Sequence, residues 1–392
     1  MSLRSRVLVA GVLGGVLLST GCATFTDQPP PESWRPQEQL TPQGGPEPDV
    51  PGEGRPEPDS DSGARPSEIP PPDGCVDYNP AVIGTCMDSV TAVAALPGDG
   101  RDPTALVGER RSGRILRVKL GTDPVLVATV PVDGSTDGGL TGLALSPTYA
   151  EDQLIFAYVT TATDNRVVRI APGDVPKPII TGIPRGATNN RGALALDRHG
   201  GLLLATGDAG NVNLAGDLKS LAGKVLRFDA AGQPAQGNPT PGSLVVASGL
   251  RAPGGVCAPF DGSVTWVTDR GATQDLLYKL ELGKPLSVPA WTWPDRPGVA
   301  GCSATAAGVV VVTSTAGNAQ LLPIAPDGSF SGKPQVSLEK DKGFGLLGGM
   351  DAVNDQVAVV GTVNKNGGTP VSSDDRAIVI VPPQGGGASG PD

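Results

Sequence analysis

One histidine, five cysteines and a set of carboxylates and arginines on turn-like segments are the groups through which this 392-residue chain could do chemistry. His199 lies in D-R-H-G-G between two apolar runs, the sequence of a hairpin turn, so it reads as a solvated turn residue rather than a base or a ligand. Asp208 in G-D-A-G suits a turn whose backbone amides its carboxylate accepts, or a pocket carboxylate. Arg251 in G-L-R-A-P-G-G could cap a neighbouring blade's carbonyls, pair with an acid or hold an anion. Trp291 and Trp293 in W-T-W-P offer a sugar-stacking platform or, more plainly, strand packing. Asp351 in G-M-D-A-V could face a central channel where water would tolerate its charge. No C-x-x-C spacing accompanies the histidine, which removes the usual zinc patterns.

These groups hang on a repeat. A short phrase recurs six times: G-R-I-L-R-V from Gly113, N-R-V-V-R-I from Asn165, G-K-V-L-R-F from Gly223, D-L-L-Y-K-L from Asp275, A-Q-L-L-P-I from Ala319 and R-A-I-V-I-V from Arg376. The copies stand about 45–58 residues apart, a spacing that belongs to propeller blades or helical arrays. Their β-branched, alternating or continuous apolar character, with Gly, Asp, Asn or Pro close by, is strand chemistry. Before each phrase lies an apolar run, such as Q-L-I-F-A-Y-V from Gln153 or G-V-V-V-V-T from Gly308. Before that comes a run of small residues, such as A-V-A-A-L at Ala92 or G-L-A-L-S-P at Gly142, as the crowded strands nearest a radial axis require. A fourth, more polar run follows in most units, as in P-V-L-V-A-T-V from Pro124. Four strands in each of six units predict an all-β, six-bladed β-propeller over residues 74–383. The last unit lacks a fourth strand of its own, and P-A-V-I-G-T-C-M, Pro80 to Met87, is the candidate to close it; a three-stranded last blade is the alternative.

The front of the chain has a different composition. Arg4 and Arg6 precede an apolar stretch from Val7 to Leu18 and then S-T-G-C, the plan of an export signal too short to span as a mature helix. It resembles a bacterial lipoprotein signal over residues 1–21, with Cys22 lipidated and retained as the first mature residue, although Ser19 stands where Leu is usual. Fourteen prolines and several acids fill the stretch from Ala23 to Asp73, which has almost no apolar residues. Such a segment cannot bury a core, so residues 22–73 are expected to form a disordered tether reaching on the order of 150 Å when extended. Residues 384–392 read as a disordered tail. The expected place is therefore the outer face of the cytoplasmic membrane, held by lipid, with a small molecule or an envelope protein as the partner. A net charge of −10 argues against a nucleic-acid surface.

Apart from Cys22 four cysteines remain, an even number, which in an exported chain reads as disulfides. Cys75–Cys86 would close a short loop at the start of the propeller. Cys257 and Cys302 hold equivalent places on the inner strands of consecutive blades, which favours Cys257–Cys302 over the other connectivities.

Several phrases resemble the glucose/sorbosone dehydrogenase family, six-bladed propellers that use pyrroloquinoline quinone (PQQ) with calcium. They are G-L-T-G-L-A-L-S-P-T-Y from Gly139, L-L-L-A-T-G-D-A-G-N from Leu202, A-G-K-V-L-R-F-D from Ala222 and G-L-R-A-P-G-G-V from Gly249. The resemblance runs over about residues 90–295. It implies a site built from Asp137, Asp208, Arg251 and Gly271, with Arg251 on the cofactor, Asp208 in the pocket and the Gly271 carbonyl on calcium. It also implies a histidine general base where this chain has Asn189 and an arginine where it has Ala193. A T-D-R-G run, Thr268 to Gly271, replaces the family's S-E-H-G, and Ala272 replaces a proline. An amide accepts no proton, so the expectation is a propeller that binds a carbohydrate-like ligand or an envelope partner without redox turnover. The rival expectation is a working PQQ- and calcium-dependent aldose dehydrogenase.

Overall fold

The computed structural model describes residues 69–339 and 342–381. The lipoprotein signal, Cys22, nearly all of the tether and the tail lie outside the described residues. No described helix is long and apolar enough to cross a membrane.

The chain folds into a six-bladed β-propeller, each blade a four-stranded antiparallel sheet. A first short strand, β1 (Val82–Gly84), precedes the blades. Blade 1 holds β2 (Val90–Ala95), β3 (Thr104–Glu109), β4 (Arg114–Lys119) and β5 (Thr122–Thr129). Blade 2 holds β6 (Leu140–Leu145), β7 (Ile155–Thr160), β8 (Asn165–Ile170) and β9 (Lys177–Ile183), with a short helix, α1 (Tyr149–Asp152), between its first two strands. Blade 3 holds β10 (Gly192–Leu196), β11 (Leu202–Thr206), β12 (Lys224–Phe228) and β13 (Val245–Ser248), with α2 (Val212–Gly216) inserted before β12. Blade 4 holds β14 (Pro253–Cys257), β15 (Trp266–Arg270), β16 (Asp275–Lys279) and β17 (Trp291–Trp293). Blade 5 holds β18 (Val299–Thr305), β19 (Gly308–Thr313), β20 (Ala319–Pro323) and β21 (Gln335–Ser337). Blade 6 holds β22 (Leu347–Ala352), β23 (Ala358–Thr362) and β24 (Ala377–Ile380). The sixfold phrase is the third strand of every blade.

The ring closes as the unpaired last unit requires. β1 pairs antiparallel with β24, Val82 opposite Ile378, and completes blade 6 as its outermost strand. The last blade is thus four-stranded, built from both ends of the propeller. Cys75–Cys86, with its Cα atoms 5.4 Å apart, ties down the loop that delivers β1.

The first strands, β2, β6, β10, β14, β18 and β22, each pack against the next around the axis. Small residues are needed there. A Cβ on Gly255 would lie 2.7 Å from the Ala300 carbonyl, and one on Gly301 would lie 2.4 Å from Met350 N. Between blades, the flat sheets bury Val, Ile and Leu in separate clusters, such as Phe156, Leu204 and Phe228 between blades 2 and 3. Cys257–Cys302 joins the first strands of blades 4 and 5 across a Cα separation of 5.7 Å. Trp291 and Trp293 pack between the same blades: Trp293 Nε1 donates to Gln320 Oε1 at 2.7 Å, and Trp291 meets Phe330 edge-on. The structure uses them for strand packing. His199 is an exposed hairpin residue whose Nε2 lies 3.1 Å from the Gly262 carbonyl of the adjacent blade.

Candidate functional site

The chain turns inward where the first strands begin, and there the expected site residues meet. Asp137, Asn189 and Arg251 precede β6, β10 and β14, while Asp208 and Gly271 follow β11 and β15. They form one hydrogen-bonded series across blades 2, 3 and 4. Asp137 Oδ2 accepts the Asn189 N–H at 2.8 Å, and its Oδ1 accepts the Asn190 N–H and Asn190 Nδ2, each at 3.2 Å. Asn189 donates Nδ2 to Asp208 Oδ1 at 2.8 Å. The Asp208 N–H donates to the Arg251 carbonyl at 2.9 Å. Arg251 Nη1 in turn donates to the carbonyls of Arg270 at 3.1 Å and Gly271 at 3.4 Å.

Local sequence explains the geometry. Asn189 has φ +59°, a left-handed conformation that Asn tolerates better than most residues. Its side chain is 8% exposed and turned to the Asp208 carboxylate as a donor. Asp208 also accepts the Gly210 N–H at 2.8 Å, so it does hold the G-D-A-G turn while bonding Asn189. Arg251 caps carbonyls of its own blade rather than a neighbour's. Its N–H and that of Ala252 are accepted by Asp269, whose carboxyl burial pushes up to about 6. Thr268 points to the next blade and donates to the Ala300 carbonyl at 2.7 Å. Ala193 is buried among apolar side chains between blades 3 and 4, and Ala272 is exposed in the turn after β15.

Beside this series, on the axis, opens a cavity of about 400 Å³. Of the five expected residues only Asp137 lines it. Three arginines outside the expected set line it too: Arg110 from blade 1, Arg191 from blade 3 and Arg270, within the T-D-R-G run, from blade 4. Thr91, Thr136, Ser314, Thr315, Val363 and Asn366 complete the wall. Arg110 Nη1 donates to the carbonyls of Thr136 at 2.6 Å and Gly138 at 2.8 Å, while its buried Nε has no partner. Arg270 donates Nε to the Val299 carbonyl at 2.8 Å and Nη2 to Ser314 Oγ at 2.7 Å. Burial first, and the charge of Arg191 second, push Arg270 down to about 9. Burial also lowers Arg191, with Asp137 opposing the shift.

Three guanidinium groups therefore face one carboxylate, and that carboxylate already accepts three N–H donors. The charge balance and the unpartnered Arg110 Nε make the surroundings of this cavity favourable to an anion. The Gly271 carbonyl, expected on calcium, lies outside this cavity and accepts from Arg251 Nη1 at 3.4 Å. Among the described residues no group of three or more His, Cys, Asp or Glu could hold a metal ion.

Residues 88–293 match the glucose/sorbosone dehydrogenase family. The PQQ-bound form of an aldose sugar dehydrogenase from Streptomyces coelicolor is 29% identical, with a TM-score of 0.69 over 76% of this chain and 95% of that one. An oxidoreductase (glucose dehydrogenase) of Thermus thermophilus is 26% identical, with a TM-score of 0.68 over 76% and 98%. The apo form of a soluble aldose sugar dehydrogenase from Escherichia coli, 18% identical with a TM-score of 0.64 over 76% and 98%, shares the fold. No curated protein matches the chain. With more than half of its length matched, the chain is a member of the glucose/sorbosone dehydrogenase family.

Proposed function

We propose that this protein is a lipid-anchored, extracytoplasmic propeller that binds an anionic small molecule in its cationic mouth and does not oxidise sugars. One observation carries the reading: at the place of the family's general base, Asn189 donates its amide to Asp208 at 2.8 Å. Removing a hydroxyl proton while hydride leaves the carbon needs a base at that position. An amide nitrogen has no available lone pair, and its hydrogen bond turns it away from such work. Asp137, the one carboxylate lining the cavity, is committed to the N–H groups of Asn189 and Asn190.

PQQ is a tricarboxylate, and the Streptomyces coelicolor relative is its PQQ-bound form. The orphaned Arg110 Nε fits an anion of that kind, as do the Arg191 and Arg270 guanidinium groups on the same cavity. When bound, PQQ supplies a hydride acceptor. Arg110, Arg191 and Arg270 would bind its carboxylates. Calcium has a weaker claim, because its candidate donor, the Gly271 carbonyl, is faced by Arg251. Carbohydrate acids carry the same recognisable carboxylate.

Titration calorimetry with PQQ, with and without Ca²⁺, tests the binding half of this reading. Calcium-independent binding that weakens as salt rises is expected, since the attraction is between charges. No heat of binding for PQQ or for aldonic acids would overturn it. The dehydrogenase reading draws on the same arginines together with Asp208 and Arg251, and dye-linked turnover with aldoses decides between the two.

A further inference from the structure

A second axial cavity, of about 360 Å³, opens at the opposite end of the channel, where the first strands finish. Its size lies within the range of small-molecule sites. All six first strands supply its wall; most of the lining residues are apolar, including Leu143, Leu194, Val256 and Met350, while polar atoms make up nearly half of the exposed wall. In the layer of Ala94, Ala144, Ala195, Cys257 and Ser303, blade 6 alone places a carboxylate, Asp351.

The Asp351 carboxylate accepts two backbone N–H groups, from Ala95 and from Ala352, both at 2.9 Å. Among the described residues no cation lies within ion-pair distance of it. The other charges on the cavity are Arg198 and Asp355. Arg198 is held over the Phe260 ring at 4.3 Å, so it lowers the Asp351 carboxyl only from a distance. Desolvation dominates and raises that carboxyl to about 6, so at neutral pH a half-buried carboxylate stands on the cavity wall with two neutral donors and no ion-pair partner among the described residues. The local balance of Asp351, Asp355 and Arg198 is one negative charge.

We infer that this lower cavity is a second ligand site, taking a small organic cation whose ammonium group pairs with Asp351 and whose apolar body lies against the Leu and Val wall. The two ends of the channel then select opposite charges, an anion at the arginine mouth and a cation here. The inference does not depend on what the arginine mouth binds.

The test titrates the full-length protein with n-butylammonium, n-butanol and butyrate and follows the Ala95 and Ala352 amides by NMR. n-Butylammonium should bind about tenfold or more tightly than n-butanol, because a charged hydrogen bond is added to equal apolar contact. Butyrate should not bind. Protonating Asp351 removes its charge, so affinity should fall as pH drops through about 6, by about tenfold per unit well below it. Asp351→Asn should abolish the preference for the amine, and the pH series on the unaltered protein gives the answer even where that variant misfolds. Equal affinity for the alcohol and the amine, pH-independent binding, or no shift of either amide would overturn the proposal.

Discussion

Arg191 separates stability from binding at this site. Its guanidinium shares the cavity with Arg110 and Arg270, and its charge lowers both neighbours. Removing it relieves like-charge repulsion and discards the proposed ligand contact together. Arg191→Ala is therefore expected to leave the melting temperature unchanged or higher while weakening PQQ binding about tenfold or more. A variant that melted lower and bound equally well would deny Arg191 a ligand role. Asp269 makes a second prediction. Its folded carboxyl sits at about 6, above the ordinary aspartate value of 3.8, so between those values the folded state holds more protons than the unfolded one. Stability from this group is greatest on the acid side and is lost as pH rises from about 4 to about 6. Asp269→Asn should flatten that part of the profile in urea unfolding measured at pH steps; an unchanged slope would refute the assignment. Site residues were legible unequally. Asp137, Asp208, Arg251 and Gly271 came from family-like phrases, and the structure strings them together with Asn189. Arg110 was missed because it looks like an ordinary surface charge after a strand, and Arg270 because only Gly271 was taken from the T-D-R-G run that contains both. Applying the repeat to the position just past each second strand would have collected Arg110, Ser314 and Val363, with Arg270 ending its own strand, all of them on the cavity. Arg191 precedes a first strand and lies between Asn189 and Ala193, inside the stretch already read for those two positions.

Strands were more readable than the site because a blade repeats its physics. Crowding on the axis demands small residues, burial between sheets demands Val, Ile and Leu, and every blade must meet both demands. That is why the third-strand phrase, the small first strands and the closing role of Pro80–Met87 were all legible, with β1 occupying Val82–Gly84. The insertion of α2 before β12 was not, because five residues leave no periodicity to detect. The disulfide followed from strand equivalence. Cys257 and Cys302 lie 45 residues apart, so loop closure stabilises the fold by about 4 kcal/mol in the chain-entropy estimate. A Cys257→Ser, Cys302→Ser double variant should unfold at lower urea, losing up to that amount of unfolding free energy, and reductant should then have no further effect on blades 4 and 5. A double variant as stable as the parent would show that the ring, rather than the bridge, holds these blades together.

At the scale of the whole molecule, an overall charge of −10 coexists with an arginine-lined mouth. The net charge of the chain does not draw an anion in, so a ligand in the mouth is retained by close contacts there. Lipid anchoring rests on S-T-G-C and the apolar run before it. Cys22→Ala should move the protein from the membrane fraction to the soluble fraction, or leave it unprocessed; a variant that stays membrane-bound at the mature mass would refute lipid anchoring. The central claim, that this family member binds without oxidising, is tested most directly by dye reduction with purified protein, PQQ, Ca²⁺ and a panel of aldoses. Losing a general base typically costs about 10²–10⁴-fold, so turnover at or near the blank is predicted even where calorimetry shows PQQ bound. Robust, substrate-dependent dye reduction by the unaltered protein would contradict the account and make it a working dehydrogenase whose base is not at Asn189.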